Sequence, residues 1–510
     1  MALTTLVAPS TADAFCGFYV AGAETSLYNN ATQAVLMREG TRTILSIQNN
    51  YKGPAEDFAM VVPVPIILQA DNVKTLPEEI FAKVDTLTAP RLVEYWEQDP
   101  CTAPYYDEDG GGSPSSAPTG TPANETSVVV EAEFTVGEYN VVVLSATDAT
   151  SLETWLTGHN YNIPEDSAPY LEPYVAAGMY FFVAEVDVTK VEYNDGRVVL
   201  SPLRFHYDTE EFSLPIRLGL INSQGSQDLL IYTLGQNQRY EIANYPNVTI
   251  PTNIRVEDDV RNHYGEFYES LYQATLDANP GAIVTEYSWS ASSCDPCPGP
   301  VLEDVDYLTL GADVLPETPV WGWTLTRLHA RYTADNLGAD LIFKEAPPIT
   351  GGRGVPDVSG NLPQGVEGNP FSDTFQGRYV IEHFWTAPVE CTDPNYGYWG
   401  GPWPGETGGS VQGATSPNTR GEEPAFSEGD PGTDESQPED ENNLSDWIEQ
   451  DIPEIGVQES PDDDTPAPTP SDEGTGCACD GSGGSREMAL TGLMGLVFLR
   501  IRRKAGTTRG

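Results

Sequence analysis

Basic residues are scarce in this chain. Only 25 Lys and Arg stand against 77 Asp and Glu in 510 residues, which gives a formal net charge of -52. A surface of this charge disfavours binding to nucleic acid or to an anionic membrane through electrostatic attraction. We therefore predict no nucleic-acid partner.

The common catalytic and metal-binding motifs are also lacking. The five histidines are far apart, and none is paired with another histidine or a cysteine at metal-ligand spacing. No nucleophile elbow, Walker loop or dinucleotide glycine pattern occurs. The acidic runs at 107–109 and 462–464 lack the alternating spacing of a calcium loop. We predict no metal and no cofactor, and an enzyme is the less favoured class.

Seven cysteines are too few for a small disulfide-rich scaffold, and they fit an exported protein with one or two disulfides. We predict that Cys294 pairs with Cys297. We also predict a pair between Cys101 and Cys391, because both follow apolar segments where the chain leaves the predicted core. Cys16 is then unpaired or displaces one of these partners.

The Cys294-Asp295-Pro296-Cys297 motif has a second interpretation as a redox-active pair. A CxxC pair has a lowered thiol pKa when it begins a helix. Residues 298–300 are Pro-Gly-Pro, which prevents such a helix. A structural disulfide is therefore favoured.

Alternation of apolar and polar residues predicts a largely β fold. Hairpins are expected at 34–47, around Glu39-Gly40, and at 180–200, where the strand at 180–188 meets the turn Asn194-Asp195-Gly196. Further strands are predicted at 127–134, 139–144, 216–221, 228–234 and 239–242. Helices are predicted at 76–87, 90–97, 151–156 and 260–275. The fold class is α+β and mainly β, with antiparallel sheets or a sandwich and a few helices.

The composition divides the chain into segments. Residues 1–14 end in Ala12-Asp13-Ala14, a small-x-small pattern typical of signal-peptide cleavage, although no basic residue precedes Arg38. We expect a signal-peptide remnant there; an ordinary N-terminal segment is the alternative. Residues 15–401 form the predicted ectodomain, with a disordered insertion at about 107–125.

Residues 402–475 are rich in Pro, Gly, Ser, Thr, Asp and Glu, and Arg420 is the one basic residue among them. Such a composition buries too little apolar surface to offset its ordering entropy. We predict a disordered acidic stalk. Its one apolar island, at 444–455, is expected to be a transient helix.

Residues 476–510 combine Gly476-Cys477-Ala478-Cys479, an apolar run at 488–499 and a basic end formed by Arg500, Arg502, Arg503 and Lys504. The run would span about 18 Å as a helix, less than the roughly 30 Å of a bilayer core. The basic end predicts a cytoplasmic C-terminus.

These features resemble the MYXO-CTERM sorting tail of myxobacterial surface proteins. The resemblance implies lipidation at Cys477 or Cys479 and removal of the tail by an intramembrane protease. It also implies a membrane partner and contact with export and sorting machinery. A disulfide between the two cysteines is the alternative.

Five stretches of the ectodomain carry a second resemblance: Asn29–Leu36, Gln48–Pro54, Asp57–Pro65, Cys294–Cys297 and Leu325–Tyr332. They resemble the bacterial family named domain of unknown function 2330, and the similarity extends over most of Phe15–Trp399. That family has no established activity.

We therefore predict a protein exported to the cell envelope or outer surface. Its ectodomain would bind an unidentified extracellular ligand or build part of the envelope. The alternative is an exported enzyme, either a hydrolase or a thiol oxidoreductase that uses Cys294 and Cys297.

Overall fold

The fold is mainly β, as predicted. The computed structural model describes residues 18–22, 28–52, 59–101, 132–158, 161–162, 167–187, 189–194, 197–222, 227–317, 319–333, 338–403, 412–413 and 443–460. The insertion at 107–125, the remnant at 1–14 and the tail at 476–510 therefore lie outside the described residues. No helix within these ranges is long and apolar enough to cross a bilayer.

The described strands are β1 (Phe18–Gly22), β2 (Tyr28–Glu39), β3 (Arg42–Lys52), β4 (Ala59–Val64), β5 (Val73–Thr75), β6 (Arg91–Glu97), β7 (Ala132–Val136), β8 (Tyr139–Ser145), β9 (Tyr161–Asn162), β10 (Tyr180–Val186), β11 (Glu192–Asn194), β12 (Arg197–Val199), β13 (Leu203–Asp208), β14 (Ser213–Leu214), β15 (Gln227–Gln236), β16 (Arg239–Ile242), β17 (Asn247–Thr249), β18 (Ile254–Arg255), β19 (Ile283–Ser290), β20 (Trp323–Tyr332), β21 (Leu341–Ala346), β22 (Ile349–Gly351), β23 (Glu367–Gly368), β24 (Thr374–Gln376), β25 (Arg378–His383), β26 (Trp399–Gly400) and β27 (Gln412–Gly413). The described α-helices are α1 (Glu79–Thr88), α2 (Ala149–Gly158), α3 (Ala168–Ala176), α4 (Tyr264–Ala278) and α5 (Asp304–Leu310).

Two large sheets form the centre of the protein. The larger has the order β23-β22-β24-β19-β20-β15-β2-β3-β13-β5, with β17 added beside β19. The second has the order β7-β8-β10-β4-β1-β9. Most neighbours are antiparallel, but β15 pairs with β2, β17 with β19, and β22 with β24 in parallel.

The sheets and helices pack in layers because alternate side chains of a strand point to opposite faces. Leu36 and Phe182 lie in the apolar core between the two sheets. Val35 faces the other way, toward α1 and α5, which cover the outer face of the larger sheet. Val183 faces α2 and α3 on the outer face of the smaller sheet. The central part is thus a β-sandwich with helices on both outer faces.

A further apolar cluster lies under α4. It joins Phe267 of α4 to Tyr379 of the five-stranded sheet, in which β25 lies between β18 and β6. Residues 443–460, which we name the strap, complete this cluster with buried side chains at Leu444, Trp447, Ile448 and Ile452.

The strap corrects the prediction that all of 402–475 lacks packed structure. Its apolar side chains are buried, and each such burial contributes about 1.5–3 kcal/mol. Leu444–Asp446 form a 3-10 turn and not the expected transient helix. Residues 404–411, 414–442 and 461–475 of the predicted stalk lie outside the described residues.

Three local predictions are wrong. Residues 90–97 form strand β6 and not a helix, because β6 pairs in parallel with β25. A strand was predicted at 216–221, but Arg217–Asn222 form a 3-10 helix, and the Ile216 N–H just before it donates to the Asp340 carboxylate. The hairpin predicted at 180–200 is wrong in its pairing, because β11 pairs with β12 whereas β10 pairs with β4 and β8.

Candidate functional site

A cleft of about 560 Å³ lies among β17, the C-terminal end of α4 and the strap. Thr275 and Asn279 line it from α4, and Thr285 lines it from β19. Aliphatic side chains, including Val248 and Ile349, alternate with these polar groups around the walls. The cleft is therefore concave and mixed in polarity, as ligand sites generally are.

Asn247 places β17 in the cleft wall. Its side-chain amide donates to the carbonyls of Ile242 (2.7 Å) and Tyr245 (3.0 Å), and its oxygen accepts from the Ile242 N–H (2.9 Å). Asparagine suits this position because its side chain reproduces backbone hydrogen bonds of a turn. The closed turn connects the end of β16 to the start of β17.

The strap forms a second wall through Pro453, Glu454 and Ile455. An isolated bridge between Ile452 and Val457 closes this turn. The cleft is consequently bounded in part by residues that the sequence had indicated as stalk.

Backbone and side-chain contacts hold the strap in place. Ile448 forms an antiparallel bridge with Val256, and the Glu449 N–H donates to the Arg255 carbonyl at 3.0 Å. The Arg255 guanidinium pairs with the Glu449 carboxylate at 2.8 Å and lies 3.7 Å from Glu382. Burial raises the pKa of Glu382 to about 7, despite the opposing effect of Arg255. The strap is thus attached next to a carboxyl group that titrates near neutrality.

Arg239 lies at the polar side of the cleft and is almost fully buried. Its Nε donates to the Pro347 carbonyl at 2.7 Å, and its Nη2 pairs with Glu241 at 2.5 Å. The remaining Nη1 has no hydrogen-bond partner in the described structure. A buried donor without an acceptor is costly, so this nitrogen favours an acceptor supplied by water or a ligand.

A buried charge network supports the elements behind the cleft. Glu286 occupies a β-bulge of β19, where the register with β20 shifts between Thr285 and Tyr287. Its carboxylate accepts hydrogen bonds from Arg327 Nε (2.5 Å) and from the Tyr268 hydroxyl on α4. Although burial opposes ionisation, His329 and Arg327 hold the pKa of Glu286 at about 2.

The network continues along the same face of β20. His329 Nδ1 contacts Glu286 at 2.7 Å and its Nε2 contacts Asp228 at 3.2 Å, while the imidazole stacks on Tyr272 of α4. Burial disfavours a charged imidazole, but the two carboxylates raise the pKa of His329 to about 9. These contacts fix α4 on β19, so they position Thr275 and Thr285 in the cleft walls.

Four of the five ectodomain cysteines form the two predicted pairs, and Cys16 lies outside the described residues. Cys101 is joined to Cys391, and Cys294 to Cys297. The next helix after Cys297 is α5, which begins only at Asp304. Two hydrogen bonds hold the Cys294–Cys297 loop in place. Arg91 donates to the Pro296 carbonyl at 2.7 Å, and the Gln376 side chain donates to the Asp295 carbonyl.

The structure does not describe the remaining residues that the sequence singled out. Cys477, Cys479 and the basic residues Arg500, Arg502, Arg503 and Lys504 lie outside the described residues. No group of three or more His, Cys, Asp or Glu within the described ranges could hold a metal ion. The cleft itself was missed, because its walls come from segments that are more than two hundred residues apart, from Arg239 to Ile455, and share no motif.

Comparison with known proteins gives one result. No curated protein and no solved structure matches the chain. A family model matches residues 10–344, which include all five stretches on which the resemblance was based. The chain therefore belongs to the family described as uncharacterized protein conserved in bacteria, domain of unknown function 2330.

Proposed function

We propose that this protein is exported, is held at the cell envelope by its C-terminal tail, and binds a ligand in the cleft of its ectodomain without catalysing a reaction. The cleft carries this proposal, because its volume of about 560 Å³ suits a small molecule or a short peptide. Its lining has hydroxyl, amide and aliphatic groups together with the charged side chains of Arg239, Glu241 and Glu454. Histidine and cysteine, the side chains that most often act in catalysis, are absent from that lining.

Two disulfides support export. Disulfides persist in oxidising compartments and are rare in a reducing cytosol. The pair formed by Cys101 and Cys391 joins positions 290 residues apart in the chain. The sorting-tail resemblance at Cys477 and Cys479 adds an anchor, with the membrane and the export and sorting machinery as partners.

The alternative function, that of an exported enzyme, has less support. The Cys294–Cys297 pair lies outside the cleft lining, and no helix starts at this motif to lower a thiol pKa. His329 is the histidine with the most ionic contacts, but it is buried and both of its ring nitrogens contact carboxylates.

Anchorage is tested with a double variant, Cys477→Ala and Cys479→Ala. One acyl chain gives only weak membrane binding, so loss of both sites should release the protein or leave it uncleaved in the inner membrane. Intact-mass measurement of surface-extracted wild-type protein provides the second readout. A full-length C-terminus without added lipid mass would contradict this part of the proposal.

Binding is tested by thermal shift with defined panels of saccharides, amino acids and short peptides. We expect at least one class to raise the melting temperature of the wild-type protein, because a ligand of the native state stabilises it. Val366→Trp should block this shift, since Val366 lines the cleft. Val358→Trp is the matched control, because Val358 is 70% exposed and lies outside the cleft lining. No shift with any panel would contradict the binding function.

A further inference from the structure

We infer that the ligand is an extended, basic peptide segment of a partner protein, which adds as a strand to the free edge of β17. This inference rests on the proposed binding function of the cleft and specifies its ligand class. Strand addition is a common mode of peptide recognition, in which main-chain hydrogen bonds supply affinity and alternate side chains supply specificity.

The edge of β17 has the geometry that strand addition needs. β17 pairs only with β19 among the described strands, and it does so in parallel. The Ile283 N–H donates to the Pro246 carbonyl and the Ile250 N–H to the Thr285 carbonyl, both at 2.9 Å. Alternation along the ladder then directs the N–H and C=O groups of Asn247 and Thr249 away from β19. No backbone hydrogen bond to another described residue occupies these groups.

The cleft beside this edge suits an extended chain. Asn247, Val248 and Thr249 are half-buried and all line it. Val366 and Ile455 add aliphatic surface from two other walls. The lining has no cluster of Lys and Arg, which a phosphorylated ligand would require.

The acidic side chains around the cleft favour a basic peptide over an acidic one. The strap contains five carboxylates and no Lys or Arg; these are Asp446, Glu449, Asp451, Glu454 and Glu459. Glu454 is exposed and lies in the cleft wall. The other charged side chains of the lining are Glu241 and Arg239, so carboxylates outnumber basic groups in the cleft. This excess of negative charge favours Lys and Arg side chains on the ligand.

Charge repulsion disfavours the neighbouring part of the chain as the occupant. Residues 404–442 contain ten acidic side chains and one basic residue, Arg420. This segment would bring like charge to the acidic strap. A partner protein is therefore the better source of the strand.

Synthetic octapeptide libraries test the inference on the full chain. In the basic library, Val, Ile or Thr alternates with Lys, Arg or Ser; in the control library, Asp and Glu replace Lys and Arg. We expect the basic library to bind at least about tenfold more tightly, which corresponds to about 1.4 kcal/mol. Hydrogen exchange should show new protection of the Asn247 and Thr249 amides. Equal binding of the two libraries would overturn the assignment of charge.

A pair of variants at one position tests the strand geometry. Thr249→Pro removes the outward N–H but leaves the ladder to β19, because proline is tolerated at sheet edges. It should weaken peptide binding by at least about tenfold, whereas Thr249→Val, which keeps the N–H, should change it by less than about twofold. An unchanged melting temperature verifies that both variants fold. Equal binding by the two variants would refute strand addition.

The outcomes separate this inference from the proposed function. If saccharides or amino acids shift the melting temperature and are blocked by Val366→Trp while neither peptide library binds, the cleft is a binding site and the peptide inference is wrong. If a peptide of residues 497–504 from this chain binds more tightly than the basic library, the occupant is a second copy and not a partner protein.

Discussion

Glu286 and Arg327 form an ion pair of 2.5 Å in the interior of the protein, and their side chains are 0% and 4% exposed. Asp85 of α1 contacts the same guanidinium at 2.5 Å. The pair joins neighbouring strands of the larger sheet, and Tyr268 connects it to α4. A buried pair of this kind is costly to break, because removing one charge leaves the other without compensation.

Glu286→Gln should therefore lower the free energy of unfolding by about 3–5 kcal/mol at pH 7. The measurement is urea denaturation of wild type and variant. Asp208→Asn provides the control, because the Arg42–Asp208 pair is partly exposed, at 29% and 55%. Exposed pairs contribute about 0–1 kcal/mol, so similar losses in the two variants would contradict the role given to Glu286.

His329 should carry two protons at pH 7.5. Its pKa of about 9 lies above the ordinary histidine value, so the charged form is favoured by folding. The resulting stability is fully present below about pH 6.5 and is lost as the pH rises through about 9. Nitrogen-15 NMR of the imidazole can follow this titration. A neutral His329 at pH 7.5 in the wild-type protein would show that the carboxylates do not govern its charge.

The two disulfides should differ in their contribution to stability. Cys101 and Cys391 are separated by 290 residues, whereas Cys294 and Cys297 are separated by three. The chain-entropy model assigns about 6 kcal/mol to the long loop and about 2 kcal/mol to the short one. Double Cys→Ser variants of each pair, compared by guanidinium denaturation, measure the difference. A larger loss for the short loop would show that loop entropy is not the dominant effect.

Features set by local sequence were predicted well. The hairpin of β2 and β3 and the helix α4 depend on alternation, turn residues and helical spacing, all of which the sequence displays. Strand β6 was mistaken for a helix because its pairing partner, β25, follows about 290 residues later. Such long-range pairing leaves no periodic signal in a seven-residue segment.

The strap and the cleft were missed for a related reason. Leu444, Trp447 and Ile448 have a helical spacing, and their acidic surroundings indicated disorder. Their burial depends on a surface made by Val256 and α4, which the sequence of the strap does not encode. The cleft depends in turn on the docked strap, so neither could be derived from a local pattern.

Docking of the strap should become stronger as the pH falls from 8.5 to 5.5. Glu382 has a pKa of about 7, above that of an ordinary carboxyl group, mainly because it is buried. Burial also raises the pKa of Glu449 on the strap. The folded state therefore favours the protonated carboxyl groups. Their contribution to stability is full below the ordinary carboxyl pKa and declines as the pH rises through about 7.

Hydrogen exchange of the Ile448 and Ile452 amides, corrected for the intrinsic rate at each pH, measures this docking, with slower exchange expected at the lower pH. Glu382→Gln should remove most of the pH dependence, because the neutral amide mimics the protonated carboxyl group at every pH. Glu454→Gln is the matched control, since Glu454 lies on the same strap but is exposed. If the Glu382 variant retains the wild-type pH dependence, or if exchange in the wild-type protein is independent of pH, then Glu382 does not control the docking of the strap.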